Sequence, residues 1–160
     1  MNTLATEWRT PRALGLLAVF LVVVIGVGAL IGISTAPGEW YAALDKPPFN
    51  PPNWVFGPVW FTLYVLIAIA GWRTFLREPG GVAMKLWYAQ MVLNWLWSPT
   101  WFTLHWLWPA FVVIAAILAL ILAFIARSWH EDRVSASLFL PYAAWVAFAS
   151  LLNLSIAILN

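Results

Sequence analysis

ALGLLAVFLVVVIGVGALIGI, residues 13–33, is apolar throughout and contains no charged side chain. A helix crosses the hydrocarbon core of a bilayer with roughly 20 residues, so this stretch has the length and composition of a membrane span. Four more stretches of similar length follow, and the predicted spans cover about residues 13–34, 54–76, 84–104, 107–127 and 134–158. The sequence therefore predicts an all-α integral membrane protein, with residues 1–160 forming a single domain, a bundle of five transmembrane helices.

The composition of the whole chain agrees with this class. Hydrophobic residues make up 64% of the sequence and charged residues only 9%, whereas a soluble domain carries about a quarter charged residues. The chain has no cysteine, which excludes disulfides, thiolate metal sites and cysteine nucleophiles. Its eight cations are scattered over the loops, so they form no patch for nucleic acid.

Loop charges predict the orientation of the spans. One side holds seven cations and the other only Lys46; the seven are Arg9, Arg12, Arg73, Arg77, Lys85, Arg127 and Arg133. Short cytoplasmic loops are enriched in Lys and Arg, so the N-terminus is expected to be cytoplasmic. This multi-pass arrangement fits a bacterial cell membrane better than an outer membrane. In an outer membrane reached after synthesis, the bias of Lys and Arg between loops would no longer indicate which side is cytoplasmic.

The connection between the first two spans is rich in proline. Residues 37–58 contain six of the eleven prolines. Proline fixes φ and donates no hydrogen bond, so this loop is expected to be stiff and to form no ordinary helix or sheet. It suits either a lid over the mouth of a cavity or a rigid tether between two helices. The candidate lid residues are Trp40, Pro47, Pro48, Phe49 and Trp54.

Polar and aromatic residues inside the spans form a second pattern. Gln90 and Asn94 lie four apart, as do Trp60 and Tyr64, so each pair shares one helix face. On one interpretation these faces line a pocket with flat aromatic walls and a few hydrogen-bonding groups. The other interpretation, which the spacing alone favours, is that the polar groups only bond the helices to one another. The candidate ligand-binding residues are Trp60, Tyr64, Gln90, Asn94, Trp97, Tyr142, Trp145 and Ala149.

The charge-free cores of the spans lack the groups that many functions require. They contain no Asp, Glu, Lys, Arg or His, so they lack the ionisable side chains that a proton relay or an ion-coupled pump requires. His105 and His130 fall in loops on opposite sides of the membrane and cannot jointly hold a metal or a haem iron. We expect no metal site and no cofactor, and no motif for hydrolytic or acid–base catalysis is present.

Three runs in the chain resemble one known family. They are WYAALDKPPFNPPNWVFGPVWFTLY from Trp40 to Tyr64, AQMVLNWLWSP from Ala89 to Pro99, and PYAAWVAFASLLN from Pro141 to Asn153. Together they resemble the translocator protein family (TspO/MBR, the peripheral-type benzodiazepine receptors). The resemblance implies five transmembrane helices, a homodimer, and a pocket beneath the first loop that binds porphyrins such as protoporphyrin IX or haem.

The resemblance also implies roles for particular residues. Trp60, Tyr64, Asn94, Trp97, Trp145 and Ala149 match pocket positions of the family. Some bacterial members degrade protoporphyrin IX under light and oxygen, and in that case Trp60 and Trp145 are the candidate catalytic residues. Leu154–Asn160 lacks the tyrosine and basic residue with which animal members continue, so high-affinity cholesterol binding is not expected.

Three functions follow as hypotheses. The first is a membrane receptor or binding protein for porphyrins and similar hydrophobic ligands, acting in their transport or in stress-linked regulation. The second is oxidative photodegradation of protoporphyrin through pocket tryptophans, and the third is a membrane scaffold without ligand turnover. Whether the chain is an enzyme is left open by its sequence.

Overall fold

The computed structural model describes residues 8–160, and within that range the chain is helical with no strand. Residues 1–7, the first part of the predicted domain, lie outside the described residues. The described chain forms seven helices: α1 (Pro11–Ser34), α2 (Glu39–Ala43), α3 (Asn53–Arg77), α4 (Val82–Phe102), α5 (Leu107–Ser128), α6 (Arg133–Leu138) and α7 (Leu140–Leu159).

Four helical stretches of the described chain are long and apolar enough to cross a membrane. They are Pro11–Ser34, Asn53–Arg77, Leu107–Ser128 and Arg133–Leu159. Their outward faces carry large apolar side chains that are mostly exposed, such as Val22, Ile33 and Val112, as expected of helices solvated by lipid. Helix α4 has the length of a span, with 21 residues, but its sequence is less apolar. The prediction of several apolar spans is thus confirmed for four of the five.

The proline-rich loop is more helical than expected. The expectation that residues 37–58 form no ordinary helix is wrong, because they contain all of α2 and the first turn of α3. Glu39–Ala43 contains no proline, which leaves every backbone N–H of α2 available. Pro58 lies inside α3. It removes only one hydrogen bond near the start of the helix, and such a loss is tolerated when tertiary packing holds the segment.

The last predicted span, residues 134–158, is interrupted. Helix α6 ends at Leu138 and α7 begins at Leu140. Phe139 lies at the junction with φ −85° and ψ −12°. Pro141 has no N–H to donate to the carbonyl of Ser137, so the helical ladder breaks at this position. The result is a short α6 that packs against α3 and α5, followed by the longer α7.

The long helices pack against one another in pairs around a buried apolar core. Helix α1 lies against α3, α4 lies against α5, and α5 lies against α7. A buried apolar core, including Ile67, Met91 and Ile114, joins these helices. Indole N–H groups bond across it, from Trp87 Nε1 to the Ile67 carbonyl at 2.9 Å and from Trp72 Nε1 to the Ala13 carbonyl at 2.7 Å. These bonds satisfy donors that have no water available.

An ionic cluster joins the end of α3 to the connection between α5 and α6. Arg73 donates to both carboxylate oxygens of Asp132, at 3.1 and 2.8 Å, and Ser135 Oγ donates to Asp132 at 2.6 Å. Burial raises the pKa of the Asp132 carboxyl, but the hydrogen bonds from Arg73 and Ser135 and the charge of Arg73 outweigh it, so that pKa is lowered. The bidentate pair fixes this end of the bundle.

Candidate ligand-binding cavity

A cavity of about 420 Å³ lies between α1, α3, α4 and α7, with the first loop on one side of it. This volume is in the range of sites for drug-sized ligands. Nine of its 24 lining residues are aromatic: Tyr41, Phe56, Trp60, Phe61, Tyr64, Trp97, Trp101, Phe102 and Trp145. No charged side chain is among the described residues that line it. The cavity is therefore suited to a flat, apolar ligand.

A chain of hydrogen bonds runs from the cavity wall into the bundle. Tyr64 Oη donates to Asn94 Oδ1 at 3.1 Å, and Asn94 Nδ2 donates to Tyr142 Oη at 2.8 Å. Tyr142 Oη then donates to Gln90 Oε1 at 2.9 Å, and Gln90 Nε2 donates to the Trp87 carbonyl at 2.9 Å. Every member has a partner, so α3, α4 and α7 are joined without leaving an unpaired polar group in an apolar interior.

A second set of polar bonds lies on the lining of α4, α7 and the end of α1. Trp97 Nε1 donates to Asn153 Oδ1 at 3.2 Å, and Asn153 Nδ2 donates to the Ala149 carbonyl at 3.1 Å. Thr35 Oγ1 donates its single proton to the Ile31 carbonyl at 2.8 Å. Ser98 must therefore be the donor in the 2.6 Å contact between the Ser98 and Thr35 hydroxyls.

Helix α1 contributes a close approach to the cavity wall. A Cβ atom placed on Gly28 would overlap the ring of Tyr64, lying 2.7 Å from its Cζ. Four residues further along the same helix, a Cβ on Gly32 would meet nothing within 4 Å. Both glycines line the cavity, but only Gly28 is required for the Tyr64 ring to lie where it does.

Two tryptophans of the cavity lining, Trp60 and Trp145, have different ring neighbours. The Trp60 ring lies 5.5 Å from that of Tyr64, while the Trp145 ring lies 5.8 Å from that of Phe56 and 5.6 Å from that of Phe148. The Trp145 indole N–H is buried and has no hydrogen-bond partner. Trp145 also borders an apolar groove between α3 and α7 on the outer surface, so its ring separates that groove from the cavity.

The first loop contributes two residues to the cavity lining, Pro37 and, from α2, Tyr41. Tyr41 is buried and lines the cavity, and its ring packs edge-on against Phe102 at 5.5 Å. Its hydroxyl donates to Asn50 Oδ1 at 3.3 Å. Burial raises the pKa of Tyr41, and the bond to Asn50 offsets part of the effect. The adjacent Trp40 ring stacks on His105 at 4.0 Å, which ties the loop to the connection between α4 and α5.

Comparison with known proteins identifies the chain. The sequence profile of the TspO/MBR family matches residues 18–159. The chain belongs to the TspO/MBR family. It is similar to the Protein CrtK of Rhodobacter capsulatus, with 36% identity over 92% of this chain and 94% of the relative. It is also 34% identical to the Translocator protein of Bos taurus over 85% of each chain. The Tryptophan-rich protein TspO of Archaeoglobus fulgidus is 35% identical over 89% of this chain and 94% of its own length.

Six of the eight predicted ligand-binding residues of this TspO/MBR chain line the cavity: Trp60, Tyr64, Asn94, Trp97, Trp145 and Ala149. Gln90 and Tyr142 do not. Both are fully buried behind the wall, where they support Asn94. Both interpretations of the polar residues therefore apply to one chain of hydrogen bonds. Its members Gln90 and Tyr142 join the helices behind the wall, and its members Asn94 and Tyr64 line the cavity.

None of the predicted lid residues lines the cavity; they are Trp40, Pro47, Pro48, Phe49 and Trp54. Pro47 is buried, whereas the Trp54 side chain is 75% exposed. The lining also includes residues that were not predicted, among them Tyr41, Ser98 and Trp101. The helical spacing of Trp101 from Asn94 and Trp97 could have placed it on the same face, but no local pattern pointed to Tyr41.

Proposed function

We propose that this chain is a membrane receptor that binds a porphyrin, such as protoporphyrin IX or haem, or a similar flat hydrophobic ligand, in the cavity. The observation that carries the proposal is a cavity of about 420 Å³ whose lining is aromatic and uncharged. A large planar ligand gains from burial of its apolar area and from contact with ring faces, each aromatic pair adding roughly 0.5–1.5 kcal/mol.

The satisfied hydrogen bonds of the wall support the same ligand class. Tyr64, Asn94 and Asn153 already have protein partners, so an apolar ring system can enter without leaving them unpaired. The carboxylates of a porphyrin need water or polar groups instead. In our proposal they remain at the mouth beside Asn53, an exposed residue of the lining.

The membrane arrangement that we propose has five spans, with α4 as the fifth. Lys85, the one charged residue of α4, lies in its first turn, and the polar side chains Gln90, Asn94 and Ser98 further along have hydrogen-bond partners within the protein. Its 21 residues extend about 31 Å at 1.5 Å per residue, which matches the hydrocarbon core.

The orientation is proposed from the loop charges, with the Arg77 end of α3 cytoplasmic and Lys46 on the opposite side. Because the chain has no cysteine, single cysteines at positions 77 and 46 can be labelled with an impermeant maleimide in intact cells. We expect labelling of the cysteine at position 46 and none at position 77. Labelling at position 77 alone would show that the protein has the opposite orientation.

We also propose a homodimer, as the family resemblance implies. Ala119 and Ala123 lie four apart on α5 and are both exposed, and small residues at this spacing allow helices to approach closely. Disulfide crosslinking of Ala119→Cys in membranes, with the exposed Val22→Cys of α1 as the control, tests whether α5 forms the contact.

The binding experiment is a titration of purified protein with protoporphyrin IX, followed by the quenching of tryptophan fluorescence. Saturable quenching with one porphyrin per chain is expected. Trp60→Ala should weaken binding several-fold because a wall of the cavity is lost. Trp54→Ala is the matched control, since Trp54 is 75% exposed and lies outside the cavity lining. Linear, unsaturable quenching, or equal losses in both variants, would contradict the proposal.

A second candidate function is oxidative photodegradation of protoporphyrin. The observation that favours it is the position of Trp60 and Trp145 in the cavity lining, with the Trp145 indole N–H free of any partner. Illumination of the saturated complex in air separates the two functions. Loss of the porphyrin absorption with formation of a defined product supports degradation, and a stable spectrum supports binding alone.

A further inference from the structure

The side chain of Asn160 pairs with the backbone of a single residue in the first loop. Asn160 Oδ1 accepts from the Asp45 N–H at 2.9 Å, and Asn160 Nδ2 donates to the Asp45 carbonyl at 2.9 Å. The same Nδ2 group also donates to the Ile156 carbonyl of α7 at 2.9 Å. The amide is therefore anchored to the end of α7 while it holds the loop.

This pairing depends on the chemistry of a carboxamide. Among uncharged side chains only Asn and Gln offer an N–H donor and a carbonyl acceptor on one planar group. That group can satisfy both the N–H and the C=O of one extended residue, as a neighbouring strand would. Leucine at position 160 would lose both bonds, and aspartate would keep only the acceptor.

The held segment leads directly to the cavity. Lys46, the next residue, donates from Nζ to the Ala42 and Leu44 carbonyls at 3.2 and 2.9 Å, and its ammonium lies 4.7 Å from the centre of the Tyr41 ring. Tyr41 in turn lines the cavity. The contacts thus run from Asn160 through Asp45 and Lys46 to a side chain of the cavity wall.

We propose that Asn160 is a positioning residue that latches the first loop, residues 37–52, over the cavity and thereby sets the rates at which a ligand enters and leaves. The proposal rests on the proposed function only for the identity of the ligand. The latch can be tested separately from the ligand, since its hydrogen bonds join only residues of this chain.

Two measurements on the unliganded protein test the latch. The first is hydrogen exchange at the Asp45 amide, whose proton is bonded to Asn160. The second is the rate at which a maleimide labels Ala149→Cys, a buried position in the cavity lining of a chain without other cysteines. Asn160→Leu should increase both rates roughly threefold to tenfold, as expected when one or two hydrogen bonds of a loop are lost. Ser155→Ala is the control, because the Ser155 hydroxyl bonds only to its own helix at Leu151.

The dissociation rate of protoporphyrin IX then connects the latch to the ligand. It should rise by a similar factor in Asn160→Leu and stay unchanged in Ser155→Ala. Asn160→Ala, which also lacks both bonds to Asp45, should match Asn160→Leu, and it replaces the leucine variant if that variant does not fold. Unchanged exchange at Asp45 and unchanged labelling at position 149 would overturn the latch. Failure of wild type to bind porphyrin would overturn the proposed function and leave these two tests intact.

Discussion

Replacing Gly28 by alanine should destabilise the bundle, whereas the same change at Gly32 should not. The two positions are four residues apart on α1 and both line the cavity. A Cβ at 28 would overlap the Tyr64 ring, and a Cβ at 32 would meet nothing within 4 Å. The pair therefore separates the effect of one methyl group on packing from the effect of removing a glycine.

The size of the difference can be worked from these contacts. Alanine is favoured over glycine inside a helix by about 1 kcal/mol, and this gain is shared by both variants, so it cancels in the comparison. Inserting a methyl group into a filled position costs about 1–3 kcal/mol. Displacing the Tyr64 ring also strains its 3.1 Å bond to Asn94, and an interhelical bond in a membrane protein is worth about 0.6 kcal/mol. Gly28→Ala should therefore be less stable than Gly32→Ala by about 1–3 kcal/mol.

The free energy of unfolding can be measured for both variants in mixed micelles with a rising fraction of denaturing detergent. Gly32→Ala is expected to be at least as stable as wild type. Tyr64→Phe combined with Gly28→Ala shows whether the strain acts through the hydroxyl bond or through the ring alone. Equal stabilities of Gly28→Ala and Gly32→Ala would refute the packing of α1 against the Tyr64 ring.

Three other changes should have distinct effects. Asn94→Leu should lower the free energy of unfolding by about 1–2 kcal/mol, measured in the same micelles, because the buried Tyr142 hydroxyl loses a donor. Asp132→Asn should destabilise the protein at neutral pH. Because the folded pKa of Asp132 is lowered, its ionised form stabilises the fold above the unfolded value of 3.8, so the gap between variant and wild type in thermal melts should shrink as the pH falls through and below that value. Trp145→Phe should change porphyrin affinity only modestly in a fluorescence titration, by on the order of 1 kcal/mol or less, but should largely abolish light-dependent porphyrin loss if the chain degrades its ligand.

The parts of the fold that could be predicted from the sequence are those set by local composition. The second span was expected at residues 54–76 and the structure has Asn53–Arg77, because a charge-free apolar run has few alternatives to a helix in lipid. The break at Phe139 was not predicted, although the sequence contains its cause: Pro141 lies inside the predicted span 134–158, where proline removes a helix hydrogen bond and kinks or breaks the helix. Helix α2 is too short for any periodicity to reveal it.

The kinds of residue that line the cavity could be predicted from the sequence. Which of the polar residues reach the cavity and which lie behind its wall could not. Spacing places Gln90 and Asn94 on one face of α4, but it cannot say which of them reaches the cavity and which lies behind it. That choice depends on where the Tyr142 hydroxyl of α7 enters, between the two amides. The contact of Asn160 with Asp45 joins residues 115 positions apart, and no local pattern encodes such a pairing.

Blocking the cavity with a covalent adduct tests most directly whether it is the porphyrin site. Ala149→Cys lies in the cavity lining, and Ala144→Cys lies in the outer groove on the same helix. Each is reacted with a bulky maleimide, and the number of protoporphyrin IX molecules bound per chain is measured by titration. We expect binding to be lost after alkylation at position 149 and retained after alkylation at position 144. Full binding to the protein alkylated at position 149, with loss at position 144, would move the site to the outer groove and contradict the account.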